Sequence, residues 1–185
     1  MGYKIKLFVL LSILVFAVSG FYYLMGGEKK PKKELVEVLR QRVSSKKEPV
    51  YLYFADKRST FLVAEETFLS HPKEPASFGK LIIKTLIDGS ISNRESTLPK
   101  DTKLRTLFVD QDGTAYVDFA GSIKEIMKTG CYDEIIAVYS VVNSLVLNIP
   151  EIKRVKILIG GQESETLSGH LDLSQPFKAN MYLVR

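Results

Sequence analysis

A histidine close to an acidic residue is the arrangement in this sequence best suited to metal binding or proton transfer. His170 and Asp172 stand two residues apart, a spacing at which an imidazole and a carboxylate can share a metal ion or orient a base. The other histidine, His71, precedes a proline in a predicted loop, and no cluster of cysteines or further histidines supports a metal site. We therefore predict no metal and no cofactor, and interpret His170 as a structural residue that makes a hydrogen bond.

Three aspartates lie around a predicted hairpin and could form an acidic patch. They are Asp110, Asp112 and Asp118. General acid–base catalysis needs two carboxylates that converge on a substrate, and spacing in the sequence does not show convergence. An aspartate in a hairpin commonly accepts hydrogen bonds from its own turn, and we predict that ordinary role here.

The other candidates lack the spacing that phosphate binding or nucleophilic catalysis requires. The segment Gly160-Gly161-Gln162 has no Gly-x-x-x-x-Gly-Lys pattern and follows a predicted strand without entering a helix, so it predicts a tight hairpin. Ser140 and Ser144 lie within a predicted helix and lack the Gly-x-Ser-x-Gly elbow of a serine hydrolase. We therefore predict no catalytic residue, no small-molecule substrate and no enzymatic activity.

Composition and charge fit a small globular protein with one strongly apolar block. The chain has 185 residues, of which 45% are hydrophobic and 25% charged, and its net charge is +5. The only cysteine, Cys131, excludes an intrachain disulfide, and we expect it to be a small, partly buried residue. The basic residues cluster beside the apolar block, which is typical of membrane-flanking sequence, so we predict no nucleic-acid partner.

The N-terminal segment predicts a membrane anchor. No residue from 7 to 27 is charged, and this stretch is long enough to cross a bilayer as a helix. A cleaved signal peptide is the alternative, with a cleavage site near Ala17-Val18-Ser19, but the apolar run continues to Met25 and favours retention. We expect residues 1–27 to be a signal anchor and residues 28–48 to be a charged, partly helical stalk.

We predict a single-pass protein of the cytoplasmic membrane whose C-terminal domain lies outside the cytoplasm. Lysines flank the apolar segment on both sides in nearly balanced numbers, so the positive-inside rule does not decide the orientation. The prediction follows instead from the position of the segment, because one N-terminal span precedes the whole domain, as in signal anchors.

Residues 49–175 form the predicted domain, and residues 176–185 an irregular C-terminal tail. Runs rich in β-branched and aromatic residues predict strands, and apolar residues at helical spacing predict two helices. The predicted strands are residues 50–55, 61–68, 104–110, 114–119, 155–159 and 163–167, and the predicted helices are residues 76–88 and 132–148. This order predicts an α+β fold in which two helices pack on one face of a small mixed or antiparallel sheet, preceded by a transmembrane helix.

Several motifs of the predicted domain resemble those of GerM domains, which occur in sporulation and spore-germination proteins. Leu86-Ile87-Asp88-Gly89 is similar to the Leu-Leu-x-Gly that ends a helix of the family. Residues 98–104, which include Pro99, are similar to its Ile-Pro-x-Gly-Thr-x-Leu. Residues 112–119, with Gly113 and Asp118, are similar to its Gly-x-Ala-x-Val-Asp-Phe.

The second half of the domain continues the resemblance. Glu134 and residues 139–145 match the long helix of the family, and residues 155–162 match its closing strand and glycine turn. Residues 169–172 are similar to its Gly-His-x-Asp. The positions that we interpret as structural motif residues are Gly89, Pro99, Gly113, Asp118, Glu134, Gly160, Gly161, Gly169 and His170.

The resemblance covers residues 49–173 and implies a non-catalytic extracytoplasmic domain related to ring-building modules of membrane assemblies. Asp101 stands where the family usually has glycine, and Ala120 where it usually has serine. We expect an assembly module that contacts other envelope proteins or itself. The alternative is a module that binds cell-wall glycan or peptide through exposed aromatics such as Tyr51, Tyr53 and Tyr116, or through the region of His170.

Overall fold

The computed structural model describes residues 20–21, 47–58, 60–127 and 130–185. The chain divides into two compact units, Met1–Val43 and Ser44–Arg185. In the first unit, Gly20 and Phe21 are helical, and the rest of the predicted anchor and most of the predicted stalk lie outside the described residues. Within the described ranges, we find no helix that is both long enough and apolar enough to cross a membrane.

The second unit contains the two helices and the first five strands predicted for the domain, with ends that differ by a few residues, whereas only residue 163 of the predicted strand 163–167 lies in a strand. The strands are β1 (Lys47–Ala55), β2 (Leu62–Ser70), β3 (Leu104–Val109), β4 (Thr114–Phe119), β5 (Arg154–Ile159) and the short β6 (Gln162–Glu163). The helices are α1 (Pro75–Asp88), α2 (Ile123–Ile126) and α3 (Cys131–Val146), and a 3-10 turn spans Met181–Leu183. The sequence pattern does not predict α2 or the 3-10 turn, because each is too short to show a period.

The α+β class is confirmed, but the strands form two sheets instead of one. β1 and β2 make an antiparallel hairpin, and the second sheet has the order β3-β4-β5-β6. In the second sheet β4 and β5 are parallel, whereas the outer pairs are antiparallel, so the sheet is mixed. The prediction of a single sheet is wrong because the edge of β1 that faces away from β2 bonds to a helix.

Side chains of α3 take the place of a neighbouring strand along this edge of β1. The Tyr53 N–H donates to Ser144 Oγ at 3.0 Å, and the Ser140 hydroxyl donates to the Tyr53 carbonyl at 2.6 Å. Just beyond the helix, the Asn148 amide accepts from the Tyr51 N–H at 2.9 Å and donates to the Tyr51 carbonyl at 2.7 Å. Since buried backbone groups need partners, these bonds close the edge and stop the sheet from growing there.

One main core fills the space between the sheets and the two long helices. Pro75 begins α1, where its fixed φ and missing N–H fit the first turn, and the buried face of this helix packs against β3. Alternation in β4 turns Ala115, Val117 and Phe119 into the core, as the sequence predicts. Large side chains that are fully buried include Phe54, Leu62, Ile82, Leu86, Leu107, Phe119, Ile136 and Leu145.

The last ten residues, which the sequence pattern sets apart as a tail, pack against the domain. Phe177 and Val155 exchange two backbone hydrogen bonds of 2.8 Å. The backbone N–H of Arg185 donates to the Leu62 carbonyl at 2.9 Å, so the end of the tail lies beside β2. Residues 176–185 therefore belong to the folded unit, although they contain little regular structure.

Candidate functional site

Glu134, in the first turn of α3, holds the segment that contains His170. Its side chain is fully buried. Oε1 accepts from the N–H groups of Leu167 at 2.9 Å and Ser168 at 3.0 Å, and Oε2 accepts from the N–H of His170 at 2.9 Å. The ring Nδ1 of His170 lies 3.1 Å from Oε2. The carboxylate thus fixes a loop that has no regular structure of its own.

The charge on Glu134 is stabilised by the loop that it holds. Burial by itself raises the pKa of the Glu134 carboxyl, but the backbone hydrogen bonds from Ser168, His170 and Leu167 together outweigh burial and leave the pKa below its ordinary value. An ionised carboxylate can only accept hydrogen bonds, so a hydrogen bond at this contact requires the tautomer of His170 that carries a hydrogen on Nδ1. His170 is therefore a structural partner of Glu134 in this geometry.

Asp172, which the sequence suggested could act together with His170, makes its hydrogen bonds to Ser174 instead. Its carboxylate accepts from the backbone N–H of Ser174 at 2.8 Å and from the Ser174 hydroxyl at 3.0 Å. These bonds, the backbone one first, lower the pKa of Asp172. In the part of the chain that the structure describes, no three His, Cys, Asp or Glu side chains come together in a way that could hold a metal ion.

Asp118 is buried on the outer side of β4, where it holds the turn between β5 and β6. Its Oδ2 lies 2.9 Å from Nη1 of Arg105, and its Oδ1 accepts from the Gly161 N–H at 2.8 Å. Gly161 has a φ of 83°, and a Cβ atom there would lie 2.8 Å from Arg105 Nη1. The glycine therefore serves both the left-handed turn and the close approach of the guanidinium to Asp118.

Asp110 and Asp112 do not share the partners of Asp118. Asp110 Oδ1 accepts from the N–H of Thr114 at 2.8 Å and from the N–H of Asp112 at 3.0 Å, which closes the β3–β4 hairpin. The bond from Thr114 is the main cause that lowers the pKa of Asp110. The predicted role of a hairpin aspartate thus fits Asp110, whereas Asp118 is held by an ion pair and a distant turn.

Glu65 on β2 is a third buried carboxylate, and the sequence interpretation misses it. It holds the loop after α1, because Oε1 accepts from the Ile91 N–H at 2.9 Å and Oε2 from the Ser92 N–H at 3.2 Å and the Ser90 hydroxyl. Burial raises the pKa of Glu65, and the bonds from Ser90, Ile91 and Ser92 overcome that effect and lower it. Glu65 lies opposite Leu52, on the core-facing side of the hairpin. A charged residue at a core-facing position of a predicted strand is the sequence signal that could have identified it.

The remaining motif residues lie at turns. Gly89, Gly160 and Gly169 all have positive φ, and Pro99 accepts a hydrogen bond from the Thr102 N–H at 2.9 Å. Gly113 differs from the other three glycines, since a Cβ atom there would lie 2.7 Å from the carbonyl oxygen of Glu151. It permits the β3–β4 hairpin to lie directly against the segment that leads into β5.

Two predictions about side-chain exposure are wrong. Cys131 is exposed at the start of α3, although its small apolar side chain predicts partial burial. Tyr53 is buried, because its ring packs with Ile136 in a small cluster, so it is not available to a glycan. Tyr51 and Tyr116 are more accessible but lie on different sheets, where Tyr116 stacks on Phe108 with ring centroids 4.5 Å apart.

At least two cavities, lined by residues that the structure describes, open on the surface of the domain. One, of about 360 Å³, lies between the start of α3 and the turn that contains Pro99, and its lining includes Leu98, Met127 and Ile136. The other, of about 530 Å³, lies between the start of α1 and the β3–β4 hairpin, and Phe108 forms part of its wall. None of the three buried carboxylates described above lines either cavity.

Comparison with known proteins gives one family and several related structures. The family model for Germane domains, described as sporulation and spore germination, matches residues 51–165. The first GerMN domain of the sporulation protein GerM from Bacillus subtilis is 25% identical with a TM-score of 0.59, covering 71% of this chain and 97% of that one. No curated protein sequence matches the chain.

Two further structures share the fold. The tandem GerMN domains of the same Bacillus subtilis protein are 25% identical with a TM-score of 0.59, and the match covers 71% of this chain and 46% of that one. A Clostridium perfringens protein with the provisional description of a lipoprotein is 24% identical with a TM-score of 0.51, covering 72% of this chain and 88% of that one. The folded unit thus corresponds to a single GerMN domain of the tandem pair.

Proposed function

We propose, since the chain belongs to the Germane family of sporulation and spore-germination domains, that its folded unit is a non-catalytic interaction module in a cell-envelope assembly. In this proposal the apolar segment of residues 7–27 anchors the chain in the cytoplasmic membrane, and the folded unit lies outside the cytoplasm. Its partners are other envelope proteins or further copies of the same chain.

The observation that carries this proposal is a set of large apolar side chains that rigid elements hold in solvent. Tyr51 and Phe68 are 48% and 57% exposed on the same face of the β1–β2 hairpin. Met181 and Tyr182 are exposed on the 3-10 turn near the C-terminus. Aromatic residues and methionine are enriched at protein–protein interfaces, where they bury much surface for little loss of side-chain entropy.

The bonding of the buried charged groups also supports an interaction module over an enzyme. Glu65, Asp118 and Glu134 each accept hydrogen bonds from a loop backbone, as described above. The buried amine of Lys156 donates to the carbonyls of Leu173 and Ser174. These four groups hold loops in place, and a catalytic group needs free bonding capacity directed at a substrate.

Photo-crosslinking in native membranes tests the proposal. The full chain carries a photo-reactive amino acid at Tyr51, Phe68 or Tyr182, or at Lys84, an exposed control position on α1. We expect crosslinked protein at one or more of the apolar positions and none at Lys84. The proposal fails if the three apolar positions give no crosslink in membranes where the chain is abundant.

A second candidate function, binding of cell-wall glycan or peptide, is favoured by the stacked pair of Phe108 and Tyr116. The two rings lie on neighbouring strands of the second sheet, and Phe108 borders the larger cavity. Aromatic faces beside a cavity are common in carbohydrate and peptide sites. Sedimentation with purified cell wall separates the two functions, because pelleting that Phe108→Ala abolishes supports wall binding, and a chain that stays in solution supports the interaction module.

A further inference from the structure

We infer that the free edge of β2 binds an extended segment of another envelope protein, which adds a strand to the β1–β2 hairpin and places a basic side chain against Glu66. The inference rests on the proposed function, because it names the kind of segment that the partner of the interaction module presents. It is carried by backbone groups that point away from β1 and by the charge that lies beside them.

Alternate residues of β2 direct their N–H and C=O groups away from β1. In an antiparallel pair, two residues directly opposite each other point their backbone groups either both toward the partner strand or both away from it. The backbone groups of Tyr51 bond to Asn148, so they point away from β2. Glu66 lies opposite Tyr51, so its backbone groups point away from β1, and alternation gives Phe68 and Ser70 the same direction.

The outward backbone groups of these three residues have no hydrogen-bond partner. In the part of the chain that the structure describes, no group bonds to the outward N–H or C=O of Glu66, Phe68 or Ser70. β2 is nine residues long, and its pairing with β1 runs from end to end without a shift in register. A long and regular edge of this kind is a template for pairing with another extended chain.

The other sheet edges among the described residues are covered, irregular or short. Side chains of α3 and Asn148 cover the edge of β1, as described above. The register of β3 shifts between Leu104 and Thr106, and such a shift disrupts pairing along an edge. β6 has only two residues. The free part of β2 is therefore the edge best suited to accept a further strand.

One end of the β2 edge already holds an extended segment of the chain itself. Val184 pairs in parallel with Leu62, and the Arg185 N–H donates to the Leu62 carbonyl at 2.9 Å. This pairing stops before Glu66. The edge thus accepts an added segment at its first residue, and the inferred partner extends the same kind of pairing toward Ser70.

The side chains beside the free edge define the chemistry of the partner. Glu66 and Phe68 are exposed on the same face as Tyr51, whose hydroxyl lies 3.5 Å from Glu66 Oε1. Glu66 makes no ion pair with any described residue. In an added strand, a lysine or arginine opposite Glu66 supplies the missing charge, and an apolar residue two positions away contacts the Phe68 ring.

A second copy of β2 does not supply this chemistry. β2 carries Glu65 and Glu66 and has no basic residue. Pairing between the β2 strands of two copies would place both Glu66 carboxylates along one interface with no opposite charge from either strand, and like charges on paired strands are destabilising. The geometry and charge therefore favour a basic segment of a different protein.

Amide hydrogen exchange of the full chain in detergent, followed by NMR, tests whether the edge is free. We expect the N–H groups of Glu66 and Phe68 to exchange fast, and those of Glu65 and Thr67, which point toward β1, to exchange slowly. Slow exchange at all four positions would mean that the edge is already covered and would overturn the inference. Protection of Glu66 and Phe68 that grows with the concentration of the chain would identify a second copy as the occupant and overturn it too.

A synthetic peptide then tests binding at the edge. The probe is Thr-Lys-Thr-Val-Thr-Val-Thr with both ends blocked, and the control is the same peptide with glutamate in place of lysine. We expect the lysine peptide to slow exchange at Glu66 and Phe68, and the glutamate peptide to bind about fivefold more weakly. Glu66→Lys should reverse this preference. Glu151→Lys, an equal change of charge at an exposed position beside the β3–β4 hairpin, should leave it unchanged.

Three results with the peptide would overturn the inference. They are no binding at the highest soluble peptide concentration, binding that leaves exchange at Glu66 and Phe68 unchanged, and equal affinity of the two peptides for the wild-type chain. Each result leaves the proposed function standing, since that proposal fails only when crosslinking in membranes finds no partner.

Discussion

The carboxylate of Glu134 bonds both to the backbone N–H and to the ring Nδ1 of His170, at 2.9 Å and 3.1 Å. Because it also binds two further backbone donors, Glu134→Gln should lower the free energy of unfolding by about 3 kcal/mol, since buried donors lose a charged acceptor. His170→Ala removes only the ring contact and should cost about 1 kcal/mol. Urea unfolding followed by circular dichroism measures both, and equal losses would contradict this account.

The buried carboxylates of Glu134 and Glu65 make the free energy of unfolding depend on pH in acidic solution. Glu134 and Glu65 have pKa values in the folded state below the ordinary glutamate value expected in the unfolded chain. Their contribution is therefore complete above that unfolded pKa and is lost as the pH falls through their folded pKa values. We expect the free energy of unfolding to fall steeply below about pH 4 and to fall less in a Glu65→Gln, Glu134→Gln double variant.

Replacing two glycines with positive φ by alanine should lower the free energy of unfolding by very different amounts. The Cβ atom that Gly160→Ala adds has no other atom within 4 Å. This variant should lose about 1 kcal/mol of the free energy of unfolding, from backbone strain alone. Gly113→Ala adds a contact of 2.7 Å with the backbone oxygen of Glu151, so about 3 kcal/mol or more is expected. Thermal and urea unfolding of the two variants test this order, and similar losses would show that the hairpin can move away from residue 151.

Removal of two buried hydroxyl groups should change the free energy of unfolding in opposite directions. Ser144→Ala leaves the Tyr53 N–H without its acceptor and should lower the free energy of unfolding by about 1 to 2 kcal/mol. Thr102 Oγ1 is buried and has no hydrogen-bond partner among the described residues, so Thr102→Val should raise the free energy of unfolding by about 1 kcal/mol. A destabilised Thr102→Val variant would indicate a partner that the described residues do not include.

The orientation of the chain can be tested with its own cysteine. Cys131 is exposed, so a membrane-impermeant maleimide should label it in intact cells if the folded unit lies outside the cytoplasm. Lys47→Cys in a Cys131→Ser background gives a second reporter at the exposed start of β1. Labelling of both positions only after lysis would place the folded unit in the cytoplasm and contradict the predicted orientation.

The strands and long helices could be predicted because their patterns are local. Alternation in residues 114–119 and helical spacing in residues 76–88 each depend on neighbours within a few positions. The contacts that divide the strands into two sheets are not local, since Ser144 and Tyr53 are 91 residues apart. A serine on a helix carries no sign of the distant strand that it will bind, so the sequence pattern favours one continuous sheet.

The candidate site shows the same division between local and distant causes. Glycines at turns and the hairpin role of Asp110 follow from residue type and spacing. The buried roles of Glu65, Asp118 and Glu134 do not, because each carboxylate binds a loop that lies 25 or more positions away in the sequence. The resemblance to GerM domains is the only sequence signal for Glu134, whereas Asp118 is also one of the three aspartates around the predicted hairpin.

The helix-capped edge of β1 also sets an order of events during synthesis. Tyr51 is made 97 residues before Asn148, which follows α3, and the other side chains that cover this edge, Ser140 and Ser144, belong to α3. The β1–β2 hairpin therefore leaves the ribosome with its backbone edge open and able to pair with any extended chain. The part of the edge at Tyr51 and Tyr53 is covered only after residue 148 has been made, so until then the nascent chain relies on chaperones to prevent aggregation.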